Sequence, residues 1–125
     1  MSINVLNKVL QTLLINPIVA EYNDSLTGLH VIKYANGRAE VYGNIAKTES
    51  TSYQSASMYF TQTHLTLPDI FTELPTVNIT CRGTLGGYVY IYNLTVKQID
   101  AYLITEAKRT NIAVQYMLSA IGRWK

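Results

Sequence analysis

The Asn36-Gly37 pair is the sequence feature that most constrains the fold, because it lies between two short runs of alternating apolar and polar residues. These runs cover residues 29–34 and 38–42, and Ala35-Asn36-Gly37 separates them. Asn-Gly between two strand-like runs is the strongest short-range signal for a β-hairpin, since its residues tolerate the positive φ angles of a tight turn. The sequence therefore predicts an antiparallel hairpin here.

The rest of the chain continues with short apolar runs separated by turn residues, a pattern typical of all-β sandwiches and barrels. Runs over residues 58–67, 76–82, 88–94 and 112–118 predict further strands, and the polar stretch 47–57 predicts a loop. Residues 96–108 fit either a helical face or an alternating strand. We expect an all-β chain folded as an antiparallel, jelly-roll-like β-sandwich.

In the strand predicted over residues 58–67, the apolar residues shift from even-numbered to odd-numbered positions. Met58 and Phe60 occupy even positions, whereas Leu65 and Leu67 occupy odd ones. Because side chains alternate between the two faces of a strand, this change predicts a β-bulge between residues 62 and 64.

The predicted core draws on the central strands and on the connection between Pro68 and Pro75, where Ile70, Phe71 and Leu74 are expected to turn inward. The single cysteine rules out an intramolecular disulfide and is expected to be a small buried residue. The core prediction comprises Leu65, Leu67, Phe71, Val77, Ile79, Cys81, Val89 and Ile91.

An amphipathic seam occupies the N-terminal segment, where apolar residues recur at helical spacing until Asn16-Pro17 ends the pattern. A helix this short is marginal alone, so it needs a partner, either its own domain or copies of itself. We expect residues 1–16 to be a helical oligomerisation segment and residues 17–125 a β-sandwich head domain. The seam consists of Ile3, Leu6, Leu10 and Leu13.

Composition narrows the classes of function. Hydrophobic residues make up 48% of the chain and charged residues 14%, which favours a folded domain, and no apolar run is long enough for insertion into a membrane. The net charge of +2 arises from scattered residues rather than a basic stripe, which argues against nucleic-acid binding. The N-terminus lacks the features of a signal peptide.

No motif indicates catalysis or a cofactor. The sequence contains no G-x-S-x-G, no H-E-x-x-H and no phosphate-binding glycine loop that opens a helix. His30 and His64 lie in separate predicted strands with no neighbouring carboxylate or cysteine at metal-ligand spacing. We therefore expect a protein that is not an enzyme and needs neither metal nor cofactor.

A stripe of tyrosines is the one pattern with a chemical interpretation. Strand alternation places Tyr88, Tyr90 and Tyr92 on one face, and Val89 and Ile91, with Asn93 as a further candidate, on the other. Flat rings that carry hydroxyls can stack on sugar C–H faces and form hydrogen bonds to sugar hydroxyls. Burial of the stripe between sheets or subunits is the alternative.

Two other residues belong to the predicted glycan-binding set. Arg82 is expected to lie close to the tyrosines across the turn formed by residues 83–87. Tyr53, in the polar stretch 47–57, is the next candidate if substitution of Tyr90 leaves adsorption to host cells unchanged.

Three stretches resemble, in this order, the C-terminal head domains of phage and prophage tail fibres. Residues 31–43 (VIKYANGRAEVYG) are similar to their strand-turn-aromatic-Gly opening, residues 65–77 (LTLPDIFTELPTV) to their strand-Pro-x-x-Phe-x-x-x-Pro-x-Val element, and residues 120–125 (AIGRWK) to their Ala-Ile-Gly-x-Trp-x ending. The resemblance covers residues 28–125 and favours a strand over residues 96–105. Tyr42 departs from the pattern, which commonly has tryptophan at this position.

The resemblance implies a head that forms a homotrimer at the tip of the phage tail, contacts other tail proteins and adsorbs to polysaccharide on the host surface. Such a protein is made in the bacterial cytoplasm without a signal peptide and functions in the virion. Two alternatives use the same residues: a stand-alone bacterial lectin or adhesin, and a structural protein that binds only other virion proteins.

Overall fold

The computed structural model describes Asn4 and residues 16–84 and 86–125, and this part of the chain forms two antiparallel β-sheets. A five-stranded sheet has the order β1-β2-β3-β9-β6, and a four-stranded sheet has the order β4-β5-β8-β7. The strands are β1 (Ile18–Asn23), β2 (His30–Tyr34), β3 (Arg38–Glu49), β4 (Tyr53–Ser55), β5 (Met58–Thr66), β6 (Thr76–Arg82), β7 (Tyr88–Leu94), β8 (Gln98–Thr105) and β9 (Ile112–Arg123).

Both sheets contribute to one hydrophobic core, which is the packing of a β-sandwich. Val41 and Tyr116 of the five-stranded sheet and Leu65, Ile99 and Leu103 of the four-stranded sheet are fully buried in the same cluster. The five-plus-four arrangement, with consecutive antiparallel strands β1, β2 and β3, differs from the eight strands and two Greek keys of a jelly roll. The structure thus supports an all-β sandwich, without the jelly-roll order.

The predicted hairpin is confirmed. β2 and β3 pair in antiparallel register, and the Gly37 N–H donates to the Tyr34 carbonyl at 3.0 Å. Gly37 has a φ of +96°, and a Cβ atom there would lie 2.7 Å from the Lys125 carbonyl oxygen. Glycine is therefore required both by the turn and by the close approach of the C-terminus.

The core prediction is confirmed for Leu65, Leu67 and Phe71, which are buried. A Cβ atom at Gly122 would lie 2.8 Å from the Phe71 ring, so a glycine at that position makes room for the aromatic side chain. Leu74 does not turn inward, since 62% of it is exposed. The other predicted core residues are half-buried and pack against the cluster; they are Val77, Ile79, Cys81, Val89 and Ile91.

The loop predicted over residues 47–57 is wrong, because this stretch contains the end of β3 and all of β4. The backbone from Lys47 to Glu49 pairs with β9, and that of β4 pairs with β5. A ladder of backbone hydrogen bonds does not require apolar side chains, and several of the polar side chains here have hydrogen-bond partners. Lys47 Nζ, for example, donates to Thr63 Oγ1 at 3.1 Å.

The bulge predicted in the 58–67 strand is also wrong. β5 pairs with β8 without interruption from Tyr59↔Thr105 to Thr66↔Gln98. The parity changes because Phe60 lies on the outward face of the sheet, whereas Thr63 occupies a buried position beside Leu65. Apolar residues therefore lie on both faces of this strand.

Residues 98–105 form strand β8, which resolves the ambiguity of that segment in favour of a strand. Sequence reasoning missed β1, whose exposed residues show no regular alternation of burial. The predicted helix over residues 1–16 lies outside the described residues apart from Asn4 and Asn16. No helix in the described part is long and apolar enough to cross a membrane.

Candidate functional site

The outward face of the four-stranded sheet carries a continuous set of aromatic side chains, here called the aromatic face. Because Val89 and Ile91 pack against the core, the alternating residues of β7 point away from it. Tyr88 is 52% exposed and Tyr90 59% exposed. The aromatic face comprises Tyr53, Phe60, Tyr88, Tyr90, Tyr92 and Tyr102.

Strand register brings these rings together from four strands. Phe60 pairs with Tyr53 on one side and with Ile104 on the other, and Ile104 pairs in turn with Tyr88. In the adjacent row, Tyr102 pairs with Tyr90. Side chains opposite each other in neighbouring strands are close enough to touch, so the two rows form one surface.

Ring contacts hold this surface in shape. The Tyr102 ring lies 4.5 Å from the Tyr92 ring, centroid to centroid, and 5.6 Å from the Phe60 ring in an edge-to-face arrangement. Phe60 in turn lies 5.8 Å from Tyr53. These distances fall within the range of favourable aromatic pairs. Tyr102 and Phe60 therefore link the exposed tyrosines of β7 to Tyr53 of β4.

A β-bulge in β7 places Asn93 on the same outward face as Tyr92. Ile91 pairs with Ala101 and Asn93 pairs with Asp100, so Tyr92 is the extra residue. Beyond the bulge the alternation is reversed, and Asn93 reaches the outward face instead of the inward face on which it was expected. Its side chain there contacts Asp100.

Asp100 is the centre of a polar cluster beside the aromatic face. Its carboxylate accepts hydrogen bonds from Asn93 Nδ2 at 3.0 Å, Gln98 Nε2 at 2.5 Å and His64 Nδ1 at 2.6 Å. These donors stabilise the charged form and lower the pKa of Asp100 to about 2. A carboxylate offers roughly four acceptor sites, so about one remains for another donor.

His64 presents its second ring nitrogen to solvent. Because Nδ1 donates to a carboxylate, which has no proton to give, Nδ1 carries the hydrogen. Nε2 has no hydrogen-bond partner among the described residues, and 54% of the side chain is exposed. The cluster thus offers one unused nitrogen beside an ionised carboxylate.

Two shallow, open depressions follow the aromatic face, and Phe60 lines both. The first, of about 330 Å³, also has Tyr88 and Tyr102 in its walls. The second, of about 420 Å³, runs from Tyr53 to His64. Both volumes are at the lower end of the range for small-molecule sites.

The structure separates one predicted site residue from the others. Tyr88, Tyr90 and Tyr92 share the aromatic face as expected, and Tyr53 joins them through β4. Arg82, in contrast, lies on the outward face of the five-stranded sheet, where its Nε donates to Gln115 Oε1 at 2.7 Å. The expected proximity of Arg82 to the tyrosines is therefore wrong, since the two sheets turn their outward faces in opposite directions.

Sequence reasoning missed Phe60, His64, Asp100 and Tyr102 as members of this site. Tyr102 alternates with inward-facing Leu103 and Ala101, a signal that was available once residues 98–105 were taken as a strand. The contacts of His64 and Asp100 span 36 positions of the sequence and had no local signal. The predicted oligomerisation residues Ile3, Leu6, Leu10 and Leu13 lie outside the described residues.

The histidines have carboxylate neighbours that the sequence spacing did not indicate. His30 Nε2 lies 2.8 Å from Glu21 Oε1, and its Nδ1 bonds Asn23. His64 pairs with Asp100. No group of three or more His, Cys, Asp or Glu side chains within residues 16–84 and 86–125 is arranged to hold a metal ion. The arrangement at the aromatic face is suited to stacking and hydrogen bonding.

The chain was compared with family models, with curated proteins and with solved structures. No family model and no curated protein matches the chain. Among solved structures, the chain is similar to the Pseudomonas phage phi297 tailspike gp61, at 11% sequence identity and a TM-score of 0.44. The match covers 69% of this chain and spans only 16% of the tailspike.

Proposed function

We propose that this chain is a receptor-binding head of a phage-type tail fibre, which attaches to carbohydrate on the host surface through the aromatic face. The proposal rests on the continuous surface of exposed rings from Tyr53 to Tyr90, which has the Asp100 cluster at its side. Sugar rings have apolar C–H faces bounded by hydroxyls, and a site for them needs flat apolar groups beside directional polar ones. The aromatic face provides both.

The tail-fibre assignment is supported by the way in which the three resembling stretches meet. Trp124 Nε1 of the last stretch donates to the Tyr34 carbonyl of the first at 2.8 Å. Gly122 packs against Phe71 of the second. These contacts join the hairpin, the connection after β5 and the C-terminus into one structural unit. They stabilise the fold and do not involve the residues of the aromatic face.

The homotrimer, the location at the phage tail tip and the contacts with other tail proteins belong to the same proposal. Contacts between single tyrosines and sugars are weak, so three heads on one axis would gain avidity from a repetitive polysaccharide. The apolar seam predicted from the sequence of residues 1–16 is the segment that we assign to this axis. A stand-alone bacterial lectin would use the same face in the same way.

A structural virion protein is the second candidate, because tyrosines are enriched at protein interfaces as well as at sugar sites. In that case a partner would cover the aromatic face. Exposure of Tyr53, Tyr88 and Tyr90 in the single chain is compatible with it. Carbohydrate-binding measurements distinguish the two candidates, because only a receptor-binding head is expected to bind sugar.

The test compares adsorption to host cells and to a glycan array for the intact chain, Tyr90→Ala and Tyr42→Ala. Tyr42 is the matched control, since it is 47% exposed on the outward face of the other sheet. We expect Tyr90→Ala to lose most binding and Tyr42→Ala to retain it. Full binding by a folded Tyr90→Ala protein would refute the assignment of the aromatic face as the receptor site.

A further inference from the structure

Charge is distributed unequally between the two sheets. Strands β4, β5, β7 and β8 of the four-stranded sheet contain no lysine or arginine, and Asp100 is their only acidic residue. The strands of the five-stranded sheet carry five basic residues, which are Lys33, Arg38, Lys47, Arg82 and Arg123.

From this distribution, and resting on the proposed function, we infer that the aromatic face selects uncharged sugars, such as neutral hexoses or N-acetylhexosamines, and rejects acidic polysaccharides. A site for uronate, sialate or phosphate groups ordinarily pairs them with Arg or Lys. The strands that form this face supply neither residue.

The polar cluster adds a repulsive element. The Asp100 carboxylate is ionised, and a second anion placed on the aromatic face would meet its negative charge without a cation from the strands of that face to offset it. Neutral sugar hydroxyls instead donate to the acceptor site that Asn93, Gln98 and His64 leave unfilled. The same carboxylate therefore favours a hydroxyl and disfavours an anion.

Four basic residues lie near this sheet but outside its strands. Lys97 Nζ lies 3.4 Å from the Asp69 carboxylate. Lys47 Nζ donates to Thr63 Oγ1 and to the His64 carbonyl, each at 3.1 Å. Lys108 and Arg109 follow the end of β8, which is the end nearer to Tyr88 and farther from Asp100.

The same carboxylate argues against a protein partner on this face. Interface centres are depleted of charged groups, because a buried charge must be matched by a partner charge or by hydrogen bonds. Asp100 is 14% exposed and already shares the face with tyrosines, so a second copy of the sheet would add another carboxylate. A polyhydroxylated ligand avoids this cost.

The experiment measures binding of the intact chain to immobilised neutral polysaccharides (dextran, mannan, galactan) and acidic ones (alginate, hyaluronan, polysialic acid). Salt is varied from about 0.01 to about 1 M, over which the Debye length falls from roughly 30 Å to roughly 3 Å. We expect neutral polysaccharide to bind with little dependence on salt, Tyr90→Ala to abolish that binding, and acidic polysaccharide not to bind.

Two variants that each add one positive charge test whether the lack of cations on the aromatic face explains its preference for neutral sugars. Gln62 is exposed and lines the depression between Tyr53 and His64, so Gln62→Lys adds a cation to the aromatic face. Asn78→Lys adds the same charge to the outward face of the five-stranded sheet and is the matched control. We expect Gln62→Lys, and not Asn78→Lys, to acquire several-fold more binding of acidic polysaccharide at low salt.

The outcomes distinguish the inference from the proposed function. Salt-sensitive binding of acidic polysaccharide by the unmodified chain, lost in Tyr90→Ala, would overturn the inference and leave the function standing. Absence of binding to every glycan, together with host-cell adsorption that Tyr90→Ala does not alter, would overturn both. A change of oligomeric state in Tyr90→Ala, with no sugar bound by either protein, would identify the face as a subunit interface and also overturn both.

Discussion

The Tyr116 hydroxyl donates a 3.0 Å hydrogen bond to the Glu49 carboxylate inside the sandwich. Tyr116 is completely buried and Glu49 is 8% exposed, so the two residues form a buried polar link. Tyr116→Phe leaves the carboxylate without this donor, and we expect it to lower the free energy of unfolding by about 1–3 kcal/mol. Urea denaturation measures the difference.

Tyr34→Phe is the matched control for that experiment. The Tyr34 hydroxyl donates to the Glu40 carboxylate at 3.3 Å in a part-buried site, where water can replace it. We expect a change within about 0.5 kcal/mol, as for most surface substitutions. Equal changes in the free energy of unfolding for the two variants would show that the buried Tyr116 hydroxyl stabilises the fold no more than the part-buried Tyr34 hydroxyl does.

Alkaline pH should weaken the fold through the same residue. Burial, followed by the nearby Glu49 charge, raises the pKa of Tyr116 above its ordinary value of 10.0. The folded state thus holds the phenolic proton more tightly than the unfolded state, and this contribution is complete below pH 10.0 and lost as the pH rises beyond it. Tyr116→Phe should show a shallower loss of stability above pH 10.0 in urea titrations, and parallel curves would contradict the assignment.

Acidic pH should weaken the four-stranded sheet through Asp100. Hydrogen bonds from Asn93, Gln98 and His64 hold its pKa at about 2, below the ordinary value of 3.8. The folded state therefore binds this proton less readily, so the contribution is present above pH 3.8 and lost as the pH falls towards 2. Melting temperatures of the native chain should fall faster across this window than those of Asp100→Asn, and identical slopes would refute it.

Phe71→Ala tests the packing between the β5–β6 connection and the end of β9. The ring is buried against Gly122, and its removal leaves a cavity, so we expect a loss of about 3–5 kcal/mol in the free energy of unfolding. Leu74→Ala is the control from the same connection, with an expected change within about 0.5 kcal/mol because Leu74 is largely exposed. A loss below about 1 kcal/mol for Phe71→Ala would place its ring outside the core.

Removal of residues 1–15 tests the proposed trimer. Asn16 is retained, because its Oδ1 accepts a hydrogen bond from the Asn36 N–H at 3.1 Å. If the apolar seam holds three copies together, light scattering should report a trimer for the intact chain and a smaller species for the truncated one. A monomeric intact chain at high concentration would contradict the trimer.

The hairpin of β2 and β3, the positions of β5, β6 and β7, and the outward direction of the β7 tyrosines follow from the sequence alone. Asn36-Gly37 predicted its hairpin, because few residues adopt the required turn, and the alternation in β7 predicted that Tyr88 and Tyr90 share a face. Local backbone geometry decides both features. The Asn-Gly pair is enough to predict the hairpin, and the two-residue period of a strand is enough to predict the shared face.

Only the tertiary structure decided which strands lie side by side, and therefore which residues form the candidate site. Arg82 is six positions from Tyr88 but lies on the opposite sheet, whereas Asp100 receives a hydrogen bond from His64, 36 positions away. Strand pairing in a sandwich depends on which apolar faces bury each other best, a property of the whole chain. Sequence proximity thus indicated the tyrosine stripe and failed for its polar partners.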